Sequence, residues 1–480
     1  MKTLIQGGFV VGFNGKEHEI FKDGLVAFEG DRILFAGKVY AEPVDKTIDA
    51  RGCLISPGFI DTHFHSGINA SDYILNDSTK KDFFASNYLP HGGPTRDGAH
   101  AAHLKDVDIG QRFSLIHVLK SGVTTVFDIG GPSGEPGRYV DMVDQVGIRC
   151  ASGPSYKNVN FYHDREGRLE YDWDDARGSE GLKRAVEFGK KYDGACNGRM
   201  TAMLFPGHVD SCTPKLLNQT RAAARDLGIR VQIHTTINLF EFHTVMRRER
   251  CTPVELLHKI GFLDPEVSLS HCIFISGHSW LAYPYGNDLK IIADAGASVA
   301  YSPLKYLKLG IVMESFDKYL KAGINMGIGT DTFPKDIISD MRYAALASRV
   351  AEKSFMAGHP RDVFNAVTLG GAKMLGREDL GRLQKGAKAD IMIVNLKDIA
   401  FGAVRDPIRS LMETAVSRDV RTVIVDGETL VDDGKYFRLN EEELLEKVQA
   451  KGEEIWDSVP RWHWTERSID EVVPPAFKIK

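Results

Sequence analysis

Residues 51–71, RGCLISPGFIDTHFHSGINAS, decide the fold of this chain. The apolar residues Leu54 and Ile55 precede a Pro-Gly pair, and a second short strand-like piece then leads into DTHFH. Side chains on an extended segment alternate between two faces, so His63 and His65 point in the same direction. Two imidazoles side by side at a strand end can occupy adjacent positions on one divalent ion. The stretch therefore predicts a strand that carries metal ligands to a site at its end.

The middle of the chain alternates apolar runs of strand length with stretches of helical spacing, several of which end in Gly at the expected C-terminal position. Counting the strand before His63, the runs number eight, and the other seven cover residues 123–129, 148–151, 200–205, 229–233, 267–270, 298–301 and 325–329. Eight strand–helix units in succession predict a (β/α)8 TIM barrel. The alternative is a doubly wound sheet, but no Gly-rich nucleotide loop follows the first strand.

The two ends of the chain resemble each other. Residues 1–50 contain short β pieces separated by Gly, Asn-Gly and Gly-Asp, too few and too short to bury a core alone. Residues 390–395 and 420–425 have the same character. We therefore predict a small β-sandwich domain built from both chain termini. The expected division is a small β domain at 1–56 and 381–437, the barrel at 57–380, and a C-terminal helix and tail at 438–480.

Polar side chains recur where a barrel would need them. Active sites of (β/α)8 barrels lie at the C-terminal ends of the strands. The otherwise apolar predicted strands end in His63 and His65 (strand one), His208 (four), His234 (five), His271 (six) and Asp331 (eight). A lone His on an apolar strand is more often a core residue than a ligand, and for His208 the two interpretations are evenly matched. For the group as a whole, a shared site is the better explanation.

These strand ends belong to five motifs: PGFIDTHFH, PGHVDSCTP, VQIHT, SHCIF, and GIGTDT preceded by ASVAYSPLKYLKLG. In this order, and over nearly the whole chain, they resemble the amidohydrolase superfamily, in its cytosine- and guanine-deaminase-like and triazine-hydrolase-like branch. The resemblance implies that His63, His65, His234 and Asp331 hold one metal ion. It also implies that the catalytic residues are His271, beside the reacting water, and Asp331, and that His208 binds the substrate.

The resemblance also bears on the metal. The two-metal relatives carry a modified lysine at the end of strand four, where this chain reads MLFP at residues 203–206. We therefore expect a single divalent ion. Zinc is the default for His-rich ligation, and iron, cobalt and manganese stay open by residue type.

One departure from the family pattern affects the predicted reaction. In the ring deaminases a glutamate follows the third metal histidine by three residues and moves a proton to the ring and to the leaving ammonia, but this chain has Ile237 there. An amine leaves readily only when protonated, so another acid must act or the reaction must differ. Glu241 and His243 lie a turn or two further on. In the simpler interpretation, His271 and Asp331 move the protons.

This departure favours metal-dependent hydrolysis of a C–N bond of amide, urea or carbamate type. The alternatives are an aminohydrolase (deaminase) or a chlorohydrolase acting on an N-heterocyclic ring, and a non-catalytic relative that serves as a binding scaffold.

Composition limits the partners. The 480 residues carry a formal charge of −5, which gives no reason to expect nucleic acid or a membrane surface. We see no leader segment and no apolar run of membrane-spanning length, and the six cysteines form no CxxC pair. We therefore expect a cytoplasmic enzyme that acts on a small-molecule substrate. Relatives are commonly oligomers, so a homo-oligomer is expected.

A long loop at residues 67–105 follows the first predicted barrel strand. Its aromatic side chains predict a substrate that is partly aromatic or apolar: Tyr73, Phe83, Phe84 and Tyr88. Its histidines, His91, His100 and His103, are interpreted as part of a solvated loop.

Overall fold

A computed structural model describes residues 1–67, 107–164, 168–462 and 466–478. The strands are, in chain order, β1 (Lys2–Phe13), β2 (His18–Glu29), β3 (Arg32–Gly37), β4 (Lys46–Asp49), β5 (Cys53–Pro57), β6 (Phe59–Phe64), β7 (Val123–Ile129), β8 (Arg149–Gly153), β9 (Ser155–Tyr156), β10 (Val159–His163), β11 (Leu169–Trp173), β12 (Met200–Pro206), β13 (Arg230–Thr235), β14 (Val267–His271), β15 (Ser298–Tyr301), β16 (Asn325–Ile328), β17 (Ile391–Asn395), β18 (Val420–Val425), β19 (Glu428–Asp432) and β20 (Lys435–Tyr436).

The helices are, in chain order, α1 (Val107–Lys120), α2 (Pro136–Val146), α3 (Asp175–Tyr192), α4 (Ala195–Gly198), α5 (Pro214–Leu227), α6 (Leu239–Glu249), α7 (Pro253–Lys259), α8 (Asp288–Ala295), α9 (Pro303–Lys308), α10 (Phe316–Lys321), α11 (Ile337–Glu352), α12 (Pro360–Asn365), α13 (Gly371–Leu375), α14 (Pro407–Glu413), α15 (Glu441–Trp462) and α16 (Ile469–Val472). In the described part of the chain, no helix is both long enough and apolar enough to cross a membrane.

Eight parallel strands form the barrel in the order β6, β7, β8, β12, β13, β14, β15, β16. These strands are almost completely buried because helices cover them outside and side chains fill the interior. The predicted (β/α)8 barrel is confirmed, and the doubly wound alternative is wrong, since the last strand returns to the first.

The barrel closes where β16 meets β6. The backbone N–H of Asp331 donates to the carbonyl of His63 at 2.8 Å, and the N–H of His65 donates to the carbonyl of Asp331 at 3.3 Å. The closing contacts therefore fix the backbone of three predicted metal ligands relative to one another.

The second sheet comes from both ends of the chain, as predicted. It has nine strands in the order β20, β19, β18, β17, β5, β1, β2, β3, with β4 paired to β1. Its buried residues, among them Ile5, Val26, Ile55, Ile391 and Ile424, form a core of their own.

The chain passes from this sheet into the barrel at Gly58, between β5 and β6. A Cβ on Gly58 would lie 2.1 Å from Thr124 Cγ2, so this close approach requires glycine. The single apolar stretch on which the sequence prediction rests therefore supplies one strand to each sheet.

A two-stranded hairpin, β10 paired with β11, follows barrel strand β8 and its short extension β9. Phe161 on β10 lies 6.0 Å from the ring of His208, centroid to centroid. The hairpin therefore lies beside the strand ends where the polar residues were predicted to gather. The loop aromatics at 73, 83, 84 and 88 lie outside the described residues, and so do His91, His100 and His103.

Candidate active site

Three imidazoles and a carboxylate converge at the C-terminal end of the barrel. His63 Nε2 lies 3.7 Å from Asp331 Oδ2, and His65 Nε2 lies 3.7 Å from Asp331 Oδ1. His65 Nε2 lies 3.3 Å from His234 Nε2. The structure thus brings together the four residues that the sequence analysis named as metal ligands, although they come from three separate strand ends.

The remaining ring nitrogen of each of these histidines has a protein acceptor. The contacts are His63 Nδ1 with Gln232 Oε1 at 3.2 Å, His65 Nδ1 with the carbonyl of Ile129 at 3.2 Å, and His234 Nδ1 with the carbonyl of Gly207 at 2.9 Å. A carbonyl oxygen can only accept, so the proton of each ring resides on Nδ1 and the lone pair on Nε2. This is how outer contacts orient metal-binding imidazoles.

The donor atoms that face one another need a further partner. Among the described residues, His63 Nε2 and Asp331 Oδ1 are buried and make no hydrogen bond. A buried polar atom left without a partner costs roughly 1–3 kcal/mol. Three imidazole nitrogens and one carboxylate oxygen are the donors that a divalent metal ion accepts, so the residues fit such an ion.

The protonation states fit a cation as well. Burial lowers the pKa of His65 to about 3 and that of His234 to about 4, and lowers the pKa of His63 well below its usual value. Burial alone would raise the pKa of Asp331, but Lys305 and the neighbouring histidines hold it well below its ordinary range. At neutral pH the site therefore presents neutral imidazoles and an ionised carboxylate.

His271 completes the inner wall of the site. It ends β14, is fully buried, and its Nε2 lies 3.7 Å from Asp331 Oδ2. Its φ of 77° and the φ of 54° at Asp331 are left-handed values, which a non-glycine residue adopts at a cost of order 1–3 kcal/mol. Such strain at two strand ends of one site indicates that the fold holds these side chains in place.

His208 lies on the other side of the predicted ligands. Its ring stacks on His234 with centroids 4.5 Å apart and planes 13° apart. One of its ring nitrogens also falls within 4.8 Å of carboxylate oxygens of Asp210 and Glu241. The structure thus places His208 beside the ligand cluster, where its predicted substrate contact stays a prediction. It adds two acidic neighbours, Glu241 and the previously unnamed Asp210.

Glu241 contacts the backbone of residue 237, the position of the missing family glutamate. It lies on α6, is fully buried, and its Oε2 accepts a hydrogen bond from the N–H of Ile237 at 2.8 Å. Burial, together with repulsion from Asp210, raises the pKa of Glu241 well above its usual value. A buried carboxyl is therefore present near position 237, although it reaches that position from four residues further along the chain.

Two lysines at the site were not found from the sequence. Lys305 Nζ lies 2.8 Å from Asp331 Oδ2. The fully buried Lys335 donates to the carbonyl of His65 at 3.0 Å and to the carbonyl of Asp331, and lies 4.5 Å from the ring centroid of Phe64. Lys335 therefore braces the backbone of two predicted ligands. The sequence offered only one indication of their role: Lys305 follows predicted barrel strand seven and Lys335 follows strand eight.

A model of the amidohydrolase family matches residues 54–430. A 5'-deoxyadenosine deaminase of Methanosarcina barkeri is 28% identical over 456 residues, covering 94% of this chain and 98% of that protein. A 5-methylthioadenosine/S-adenosylhomocysteine deaminase of Desulforudis audaxviator is 28% identical over 474 residues, covering 96% and 100%.

Two solved structures share the fold. An atrazine chlorohydrolase from Arthrobacter aurescens, crystallised with zinc, has a TM-score of 0.78 at 24% identity, covering 94% of this chain and 100% of that one. An adenosine deaminase from Xanthomonas campestris with bound zinc has a TM-score of 0.79 at 19% identity, covering 94% and 98%. At these identities the likeness shows the architecture alone.

Proposed function

The chain belongs to the amidohydrolase family, and from that premise we propose that its site hydrolyses a C–N bond of amide, urea or carbamate type in a small, partly aromatic or apolar molecule. The broader class, a metal-dependent hydrolase of carbon–nitrogen bonds, follows from the family. The observation that carries the proposal is the meeting of His63, His65, His234 and Asp331, with every Nδ1 held and the other donor atoms turned inward.

These four residues would hold one divalent ion, for which zinc is the first candidate by donor type. An ion bound there supplies Lewis-acid chemistry and lowers the pKa of water, so that water can attack at neutral pH. Everything else in the reaction is assigned to side chains of this chain.

Asp331 would take a proton from the attacking water, since its carboxylate is ionised and buried at the centre of the site. A new C–O bond forms at the carbonyl carbon, and His271, 3.7 Å from Asp331 Oδ2, lies where it can support the oxyanion. Asp331 then returns the proton to the nitrogen as the C–N bond breaks, which releases an amine and leaves the acid. His208 would contact the substrate from the side of His234.

Ring deamination is the second candidate. The curated relatives described above are named as deaminases of adenosine-type compounds. The buried carboxyl of Glu241 lies next to the position that the family glutamate would occupy. The acyl reaction is preferred because the side chain at position 237 itself is apolar and Glu241 is turned toward the backbone.

Product analysis separates the candidates. Zinc-loaded protein is expected to release aryl amines from N-aryl amides, ureas or carbamates, rather than ammonia from aminopurines and aminopyrimidines or chloride from chlorotriazines. Protein stripped with a chelator should lose at least about 100-fold in rate and regain it with zinc, because the ion supplies the activated water. Release of ammonia alone from the ring compounds would reject the acyl proposal in favour of deamination, and full activity of the stripped protein would reject both.

We also propose that the protein works in the cytoplasm as a homo-oligomer. All six cysteines are free, which agrees with a reducing compartment. Sedimentation analysis showing a monomer at micromolar concentration would refute the oligomer.

A further inference from the structure

Lys305 projects into the site from a short helix that the predicted mechanism does not use. Helix α9 starts with Pro303 directly after β15 and Ser302. Its Tyr306 is buried against His271, with ring centroids 5.3 Å apart. This packing anchors the centre of the helix beside His271. The side chain of Lys305, like that of His271, therefore faces the carboxylate of Asp331.

The contact between Lys305 and Asp331 is close, and the two side chains differ in exposure. Lys305 Nζ lies 2.8 Å from Asp331 Oδ2, the same oxygen that lies 3.7 Å from the Nε2 atoms of His63 and His271. The side chain of Lys305 is 18% exposed, whereas that of Asp331 is completely buried. The ammonium group therefore lies at the boundary between the buried ligands and the space open to solvent.

We propose that Lys305 is a substrate-binding residue whose ammonium donates to the carbonyl oxygen of the substrate and to the oxyanion that forms from it. The proposal rests on the proposed function and deepens it, because it assigns a residue of the site to the oxygen that the reacting carbon of every amide, urea or carbamate carries. In acyl hydrolysis the negative charge develops on that oxygen, which a fixed cation can stabilise. In ring deamination the charge develops on a ring nitrogen, which needs an acid rather than a cation.

Electrostatics supports this assignment. An ammonium and a divalent cation that share one carboxylate repel each other. Lys335 cannot turn away, because it is held by two backbone carbonyls. Lys305 is bound to the site through Asp331 alone among its described ion pairs, so its flexible stem can turn the ammonium toward an electron-rich atom of the substrate.

Lys305 competes with the metal ion for Asp331 and also binds the substrate oxygen. Its removal should therefore raise the affinity for zinc and lower the affinity for an oxygen ligand. In Lys305→Met the competitor for Asp331 is gone, so zinc should bind at least about threefold more tightly, as measured by competition with a chromophoric chelator. Acetohydroxamate, a probe that presents a carbonyl and an oxyanion, should bind the zinc-loaded variant at least about tenfold more weakly by calorimetry. The kcat/KM for the acyl substrate should fall about 100-fold or more.

Lys308→Met is the matched control, since Lys308 lies on the same helix, is exposed, and donates to the carbonyl of Phe333 at 3.2 Å. All three quantities should stay within about twofold of wild type, because the same change of charge occurs at a distance where solvent screens it.

A loss of turnover in Lys305→Met without a gain in zinc affinity would mark Lys305 as merely structural and overturn the proposal. Unchanged acetohydroxamate binding would overturn it too. If wild type hydrolyses only ring compounds, the acyl function fails, while the zinc and acetohydroxamate measurements still decide whether Lys305 binds oxygen anions.

Discussion

Asp331→Ala is expected to abolish turnover, with a loss of about 10⁴-fold or more, since proton transfer by a positioned group alone is worth about 10²–10⁴-fold. Asp331 has a second task in our proposal, because its carboxylate is also the one anionic donor among the four predicted ligands. The variant should therefore lose metal as well, and both quantities can be measured on the same preparation, by steady-state kinetics and by elemental analysis.

The fold should survive this substitution. The hydrogen bonds of Asp331 that close the barrel come from its backbone, at 2.8 Å to His63 and 3.3 Å from His65. The φ of 54° disfavours alanine, so Asp331→Asn is the better second variant, since asparagine tolerates the left-handed region and keeps the side-chain shape. Asp331→Asn should unfold near the wild-type temperature, and Asp331→Ala should fold but unfold at a lower temperature. Substantial activity in either, with native circular dichroism, would remove Asp331 from the mechanism.

The order of strands and the polar residues at their ends could be predicted from the sequence because both are local. An apolar run of strand length followed by a polar residue is visible in a window of ten residues, and the barrel rule then places all such residues at one rim. His63, His65, His234, His271 and Asp331 were found in this way, and the structure brings them together.

Contacts made across the barrel rim could not be predicted in this way. Lys305 meets Asp331 because β15 and β16, the strands they follow, are neighbours in the barrel, and nothing in SPLKYLK itself indicates a partner 26 positions away. The hydrogen bond from Ile237 to Glu241 is a local contact at the start of α6, next to its N-cap Asn238, and the strand-end pattern does not include it.

The choice of substrate is harder still to predict, since it depends on side chains that loops bring over the site. His208 shows the difficulty. Its position beside His234 follows from the strand pattern, but its neighbours Asp210 and Glu241 come from a loop and a helix. The sequence therefore predicts the reacting centre better than the walls of the pocket.

Arg149→Met is expected to give the largest loss of stability, about 3–5 kcal/mol, the usual cost of removing one partner from a buried ion pair. Arg149 begins barrel strand β8 and is fully buried. Its Nε and Nη2 donate to the two carboxylate oxygens of Asp390 at 3.0 and 3.2 Å, and Nη2 also donates to Asp426 Oδ1 at 2.6 Å. Asp390 directly precedes β17 and Asp426 directly follows β18 of the second sheet, so one guanidinium joins the two sheets of the protein.

Removing that guanidinium leaves Asp390, which is 4% exposed, without its main cation, while Lys388 still reaches Asp426 at 2.9 Å. The double variant Arg149→Met/Asp390→Asn should therefore recover part of the loss, because the uncompensated charge is gone. The matched control is Arg409→Met, which breaks an ion pair with Glu413 whose side chains are 47% and 42% exposed and should cost less than about 1 kcal/mol. Thermal unfolding and urea titration measure all three. Since β8 starts at the end of the barrel opposite the site, kcat of the folded Arg149→Met protein should match wild type. A melting temperature equal to that of the Arg409→Met variant would show that the packing of the two sheets does not depend on this contact.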